Sequence, residues 1–353
     1  MPPIRATPLV VRFGRLGDML LLAPLLHHLH RGYGEPCVLL GTGPFSAPLY
    51  AADPDVTCVL QVSARHRPLA LSPPRWWMLR ALHAHRNAAV HIAETEPRAL
   101  AKIRRMLALA GVRADHCVFI TDATAKRDEH WVDRLLRTCG HPPPACASAW
   151  RPPEPPIERA PRLYLTGADR ADCARWLRRH DWRGEPLWLL QPANKRSMRW
   201  NGPRAASDDD KAWPAGHWIA VLHALHADDP GARIVLCGTP PEAPLLEAIA
   251  AQARIPNLVV GARELPLRRL LALCEIARGM ASVDTGPAHV AAAMGCPLVV
   301  LYGAQPRTLW LPRSPTGSAV IALGGPPRYA RAADIPPDVV SAALHGLPAR
   351  NAQ

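Results

Sequence analysis

Between two apolar runs, Met280–Val283 and Leu298–Tyr302, the chain places Asp284-Thr285-Gly286-Pro287-Ala288-His289, which puts a carboxylate, a hydroxyl, a bare backbone and an imidazole within six positions. Pro287 suits the first helical turn, where its missing N–H leaves nothing unpaired. Ala288–Met294 reads as a short Ala-rich helix with Gly286 as the expected N-cap, and Gly295 and Pro297 stop it. Such a strand, helix and strand aim unpaired N–H groups and a positive helix end at the carboxyl edge of a parallel sheet, where an anionic phosphate binds. Thr285, Gly286 and His289 are placed to touch that anion. Helix capping by Asp284 and Thr285, with His289 on the surface, accounts for the same residues, so these positions alone leave both readings open.

A second turn, Gly14-Arg15-Leu16-Gly17-Asp18, follows the apolar strand Leu9–Phe13 and opens an expected helix, Met19–His30. It has neither the glycine pattern of a dinucleotide site nor that of a P-loop. Asp18 stands at the helix start, either as an N-cap or as a carboxylate presented into a cleft. Lysine is scarce, 4 against 38 arginines, yet Lys195 and Lys211 fall in one loop, 192–211. A loop of that length is commonly functional or disordered. The nine cysteines include no C-x-x-C pair, which argues against a disulfide framework or a zinc site.

These residues need a scaffold, and the hydrophobic pattern supplies one. Cys37–Gly41, Val56–Val62 and Ala88–Ala93 read as short strands, with helices expected over Pro44–Ala51, Arg75–Arg86, Pro97–Ala110 and Glu129–Cys139. The second half repeats the alternation: strands Leu163–Leu165, Leu187–Gln191, Arg233–Cys237 and Leu258–Gly261, helices Ala168–His180, His217–His226, Pro266–Cys274 and a last one over Asp334–His345. Alternation at this spacing predicts doubly wound parallel sheets. Trp76 and Trp77 share a helix, and adjacent positions cannot share one face, so one of them is expected exposed and the other packed. The segment His141–Pro161 holds eight prolines and is the expected linker. The domain expectation is therefore 1–150, a linker at 151–161, 162–330, and a tail at 331–353 that packs back on the first domain.

At 353 residues the chain exceeds the usual size of one hydrophobic core. No apolar window approaches a membrane span, and Met1–Pro8 lacks the features of a signal peptide, so a cytoplasmic location is expected. The net charge of +13 is divided between the halves, 20 Lys/Arg against 13 Asp/Glu in residues 1–160 and 22 against 16 beyond. That spread, with few Phe and Tyr, argues against a nucleic-acid partner. With Arg far outnumbering Lys it reads first as a bias in base composition that leaves a solvated basic surface, and the competing reading is attraction to phosphates or to the anionic leaflet of a membrane.

Four separated motifs together resemble glycosyltransferase family 9, typified by the ADP-heptose:lipopolysaccharide heptosyltransferases: Val11-Arg12 through Arg15-Leu16-Gly17-Asp18, Lys211-Ala212-Trp213-Pro214, Gly238-Thr239-Pro240-Pro241-Glu242, and Asp284-Thr285-Gly286-Pro287-Ala288-His289 followed by Tyr302-Gly303. The resemblance runs from about residue 9 to 311. It implies an α/β fold of GT-B architecture, two Rossmann-like domains facing a central cleft, with the acceptor on the first and the nucleotide sugar on the second. It also implies inversion at the anomeric carbon without a metal or cofactor.

Carried over by position, the resemblance makes Asp18 the general base and gives the donor's diphosphate to Lys211, Asp284, Thr285, Gly286, His289 and Ser207. Glu242 is expected on the ribose and Leu265 in the adenine pocket. Arg15, Lys195, Arg196 and Arg199 are the candidates for gripping an anionic, lipid-linked glycan acceptor, with peripheral contact at the cytoplasmic face of the inner membrane. The expected activity is transfer of a heptose or related sugar from an ADP-sugar to a lipopolysaccharide core. The competing readings are a nucleotide-sugar epimerase of the same fold and a basic nucleic-acid-binding protein.

Overall fold

Short β-branched runs that alternate with amphipathic helices form two parallel sheets in the computed structural model of the chain, which describes residues 7–62, 73–194, 198–199, 202–203 and 209–349. The chain divides into two compact units, Met1–Tyr164 and Leu165–Gln353. In the first, β1 (Leu9–Arg12), β2 (Cys37–Thr42), β3 (Val56–Val62), β4 (Val90–Ile92) and β5 (Cys117–Phe119) lie in the order β3-β2-β1-β4-β5, every pair parallel. The last of these strands was not anticipated, because three residues are too few to show a period.

The single helix expected over Met19–His30 is two, α1 (Leu16–Leu20) and α2 (Ala23–Tyr33). Pro24 causes the break: it has no N–H to donate, and its ring collides with the carbonyl four residues earlier. After α3 (Ser46–Leu49), α4 (Pro73–Ala84) and α5 (Pro97–Leu109) cover one sheet face, where Met78, Leu82, Ile103 and Leu107 meet Val11, Leu40, Val90 and Ile92. Both Trp76 and Trp77 are exposed, against the expectation that one would pack. Met78 and Leu82 take the buried stripe, and the two indoles fall on the opposite arc. Helix α6 (Trp131–Cys139) completes the unit.

The second unit opens with α7 (Gly167–Arg179); Leu163–Leu165, expected as a strand, joins no sheet. Its sheet contains β6 (Leu187–Gln191), β9 (Arg233–Leu236), β10 (Leu258–Val260), β11 (Gly279–Val283), β12 (Leu298–Tyr302) and β13 (Val320–Gly324), ordered β10-β9-β6-β11-β12-β13 and parallel throughout. A two-residue antiparallel pair, β7 (Met198–Arg199) and β8 (Gly202–Pro203), lies inside the long loop. The helices are α8 (Ala215–Asp228), α9 (Ala243–Ala253), α10 (Leu267–Ile276), α11 (Gly286–Ala293), α12 (Arg307–Trp310) and α13 (Pro337–His345). Val340, Leu344 and Leu347 of the tail join the core around Trp188, Trp213 and Trp218 of this second unit. Among the described residues no helix is long and apolar enough to cross a membrane.

Where α2 meets the start of β3, His27 and His30 each bind Asp55 through Nδ1, at 3.0 and 2.7 Å, and Asp53 Oδ1 accepts from the Asp55 N–H at 2.8 Å. Burial pushes the Asp53 carboxyl up to about 6. Burial opposes ionisation of Asp55 too, but its two histidine partners hold it below its ordinary value. Asp53 binds its proton more tightly folded than unfolded. Its contribution to stability is therefore whole below its unfolded value of 3.8 and is lost as pH rises through about 6. Asp53→Asn keeps the acceptor oxygen and removes the buried charge. Urea denaturation should show it more stable than wild type at pH 7 by on the order of 1–3 kcal/mol, with the advantage gone below pH 4.

Candidate functional site

In the first sheet the chain steps from β1 outward through β2 to β3, then from β4 outward to β5, so β1 and β4 lie side by side with connections that diverge. Crevices of this kind, at the carboxyl ends of strands, are where open parallel sheets bind ligands. Arg12 ends β1 there and is buried. Its Nη1 donates to the Ala93 carbonyl at 2.8 Å and to Glu94 Oε1 at 3.2 Å, and its Nη2 donates to Asp18 Oδ1 at 3.0 Å. The guanidinium carbon lies 5.0 Å from the centroid of the Trp131 ring.

Glu94, which follows β4, also accepts from the N–H groups of Phe13, Thr95 and Glu96 at 3.2, 2.8 and 2.9 Å. Asp18 Oδ2 accepts from the Arg15 N–H at 2.9 Å. Arg15, an exposed residue, is thus the N-cap of α1, and Asp18 is its third residue, so of the two readings left open for Asp18 the N-cap is not the one found. A Cβ at Gly14 would overlap the Asp18 Cβ, so only glycine lets the carboxylate fold back onto Arg12. The outer end of this Glu94–Arg12–Asp18 chain stays 26% exposed.

The second sheet has its own reversal between β6 and β11, and four connections leave its carboxyl edge carrying the residues singled out from sequence. Lys211 follows β6, Glu242 follows β9, Leu265 follows β10 and Asp284–His289 follow β11. At the reversal, Lys211 Nζ donates to Asp284 Oδ2 at 2.5 Å and lies 3.4 Å from the Asp284 carbonyl. The lysine is held from behind. Its N–H donates to Asp209 Oδ1 at 3.2 Å, and the other oxygen of that buried carboxylate accepts from Asn194 Nδ2 at 2.8 Å.

Asp210 accepts from the Ala304 N–H through Oδ2 at 2.9 Å and from the Ala332 N–H through its carbonyl at 2.8 Å. A Cβ at Gly303 would overlap that carbonyl. The indole of Trp213 is buried and donates to the Ile335 carbonyl at 2.9 Å, while Pro214 caps α8. Lys-x-Trp-Pro is therefore one presented cation and the anchor beneath it.

Thr285 is the N-cap of α11, the place expected for Gly286, which is instead the first helical residue with Pro287 after it. The Thr285 backbone is extended and its side chain makes no capping bond, so its hydroxyl is available beside the first N–H groups of the helix. His289 lies one turn in and is buried. Glu242 is buried in its own turn: its Oε2 accepts from the Thr239 N–H and hydroxyl at 2.7 and 2.9 Å, which leaves Oε1 for a ligand diol. Leu265 is partly buried just before α10. Lys195, Arg196, Ser207 and the side chain of Arg199 lie outside the described residues.

Sequence reasoning missed Glu94, Trp131 and Asp209. For Glu94 a signal existed: like Asp18 and Asp284, it is an acid just beyond an apolar run that becomes a central parallel strand. Nothing local marks Trp131 or Asp209.

Residues 196–328 match the sequence model of glycosyltransferase family 9 (heptosyltransferase). That span contains Lys211, Glu242, Leu265 and Asp284–His289 and excludes Asp18. The chain is 35% identical over 106 residues to lipopolysaccharide heptosyltransferase 3 of Escherichia coli, an alignment covering 30% of this chain and 31% of that protein. Among solved structures it is similar to E. coli ADP-heptose LPS heptosyltransferase II, with a TM-score of 0.70 and 18% identity over 96% of this chain and 97% of that one. It is also similar to a family 9 glycosyltransferase of Veillonella parvula (TM-score 0.72, 15% identity, 96% of each chain). A third likeness is to E. coli heptosyltransferase WaaC solved with ADP (TM-score 0.67, 20% identity, 96% of this chain and 99% of that one). These likenesses show the fold, the GT-B architecture of two parallel α/β units.

The Arg12–Glu94 pair is nearly out of water, and removing one partner of such a pair leaves a buried charge uncompensated. Glu94→Ala should lower stability by about 3 kcal/mol in urea denaturation, and should lower any activity of Asp18 with it, since Arg12 loses its anchor.

Proposed function

We propose, from the match of residues 196–328 to the model of glycosyltransferase family 9, that this chain transfers a sugar, heptose or a close relative, from an ADP-linked donor to the hydroxyl of an anionic, lipid-anchored glycan of lipopolysaccharide-core type. The observation that carries the reading is the gathering of Lys211, Glu242, Leu265 and Thr285–His289 at one carboxyl edge, on the segment that matches the family. Those residues suit the parts of a nucleoside diphosphate. Leu265 offers an apolar wall to the base, Glu242 Oε1 an acceptor for a ribose hydroxyl, and α11 its N–H groups to phosphate.

In this reading the second unit stabilises the leaving group. As the anomeric C–O bond to the diphosphate breaks, negative charge gathers on the phosphate oxygens. Lys211, the Thr285 hydroxyl and the N-terminal amides of α11 are fixed donors for it, and fixed donors need no reorganisation during the reaction. Asp284 serves by positioning Lys211 rather than by touching phosphate, since two anions would repel. Lys211 then supplies the positive charge that transfer without a metal requires.

The first unit supplies the base. Asp18, oriented by Arg12 and the Arg15 N–H, takes the proton of the acceptor hydroxyl while that oxygen attacks the anomeric carbon opposite the departing ADP, which inverts its configuration. Arg15 and the loop residues Lys195, Arg196 and Arg199 are the cations offered to an anionic acceptor, and Ser207 is assigned to the donor phosphates.

The test of the reading is release of ADP from ADP-heptose with and without a lipopolysaccharide-core acceptor. Release that depends on acceptor supports transfer, whereas donor turnover without acceptor supports the epimerase alternative. Asp18→Asn keeps an oxygen for the Arg15 N–H and loses the ability to take a proton. Its turnover should fall roughly 10²–10⁴-fold with folding and ADP affinity near wild type, and an unchanged kcat removes Asp18 from the chemistry. Lys211→Ala should weaken ADP binding by about 10–100-fold, the worth of a charged hydrogen bond, in calorimetric titration.

A further inference from the structure

The two most exposed large apolar side chains of the first unit stand next to each other and belong to nothing described above. Trp76 is 61% exposed and Trp77 is 77% exposed, both on the outer arc of α4 together with the exposed Arg80. Two adjacent indoles in water cost burial that a soluble helix would ordinarily provide, and Trp in such a place marks a surface meant to be covered. In the sequence on either side of them the charge is one-sided. Residues 56–93 hold five arginines and no Asp or Glu, and residues 97–114 hold five Lys/Arg and again no acid. Of the acids between these stretches, Glu94 is consumed by Arg12, and Glu96 caps α5 by accepting from the N–H groups of Arg98 and Ala99.

Helix α5 extends the same surface. Arg104 lies over the Phe119 ring of β5, 3.8 Å from its centroid, and so occupies the flank toward that edge strand. Arg98, Lys102, Arg105 and Leu109, spaced four, three and four apart, form an exposed row on the other flank. That flank lies on the side of α4, which packs on β3 at the opposite edge and is tied to the end of α5 by His83 Nδ1, 3.1 Å from the Ala110 carbonyl.

We propose that the outer face of α4 and α5 docks the first unit onto an anionic phospholipid bilayer, with Trp76 and Trp77 seated at headgroup level and Arg80, Arg98, Lys102 and Arg105 against lipid phosphates. Indoles are apolar bodies with one polar N–H and favour that boundary. Basic side chains near an anionic leaflet add attraction that falls off within a Debye length. The face is convex helix rather than a groove or a strand platform, which suits a membrane plane better than a stacked nucleic-acid strand. This deepens the reading of a lipid-anchored acceptor by naming the surface that would hold the enzyme beside it, and it rests on that reading only for its purpose.

Sedimentation of the full chain with sucrose-loaded vesicles, free of any glycan, tests it separately from transfer. Vesicles of phosphatidylcholine with about one-third phosphatidylglycerol should bind the protein at least about tenfold tighter than phosphatidylcholine alone, and high salt should erase most of the difference. Trp76→Ser/Trp77→Ser and Arg98→Ala/Lys102→Ala/Arg105→Ala should each lower that binding about tenfold or more, with thermal unfolding and ADP affinity unchanged because the substituted side chains are exposed. Equal binding to both lipids, or wild-type binding by both variants, overturns the proposal. So does a result in which the tryptophan variant instead abolishes self-association or oligonucleotide binding by the wild type, which would give the face to a second copy or to nucleic acid.

Discussion

A parallel sheet whose strand order reverses sends neighbouring strands' connections apart, and the gap this leaves at the carboxyl edge is the constraint on which the molecule's chemistry depends. It occurs twice here, between β1 and β4 and between β6 and β11. The polar residue just past each strand is then brought within bonding distance of one far away in sequence. Arg12 reaches Glu94 and Lys211 reaches Asp284 by that route.

Both reversals hold a cation clamped by carboxylates, but the clamps differ in depth, and the difference matches the uses assigned to them. Arg12 is buried, spans two acids and a carbonyl through its two Nη groups, and lies against Trp131, so it ties Asp18 to Glu94. Lys211 is one-fifth exposed and its ammonium has one carboxylate partner, so it is less enclosed than Arg12. A planar guanidinium with five donors suits the first duty, and a compact ammonium suits the second.

Net charge gave a misleading picture of the surface. Divided by halves it looks uniform. Divided by acid-free intervals it includes an exposed basic set, Arg80 of α4 and Arg98, Lys102 and Arg105 of α5, beside the exposed tryptophans. Averages over a domain conceal this because the compensating acids, such as Glu94, Asp53 and Asp55, are turned inward to partners and contribute nothing to the outer field.

Periodicity and punctuation in the sequence were enough to determine the alternation of strands and helices, the break into two α/β halves, and the helix opening at Asp284–His289 with its left-handed stop at Gly295. Those features are local, set by side-chain period and backbone sterics within about ten residues. What the sequence could not supply is whatever depends on partners distant in the chain. The clasp of Arg12 by Glu94, the Asp209 brace behind Lys211, and the strand β13 completing a sheet from a Pro/Gly-rich tail are of this kind. So is the exposure of both Trp76 and Trp77. A hydrogen bond across 82 positions or a buried stripe won by Met78 and Leu82 leaves no periodic trace. Only the folded sheet, by fixing which strand ends are neighbours, decides those contacts.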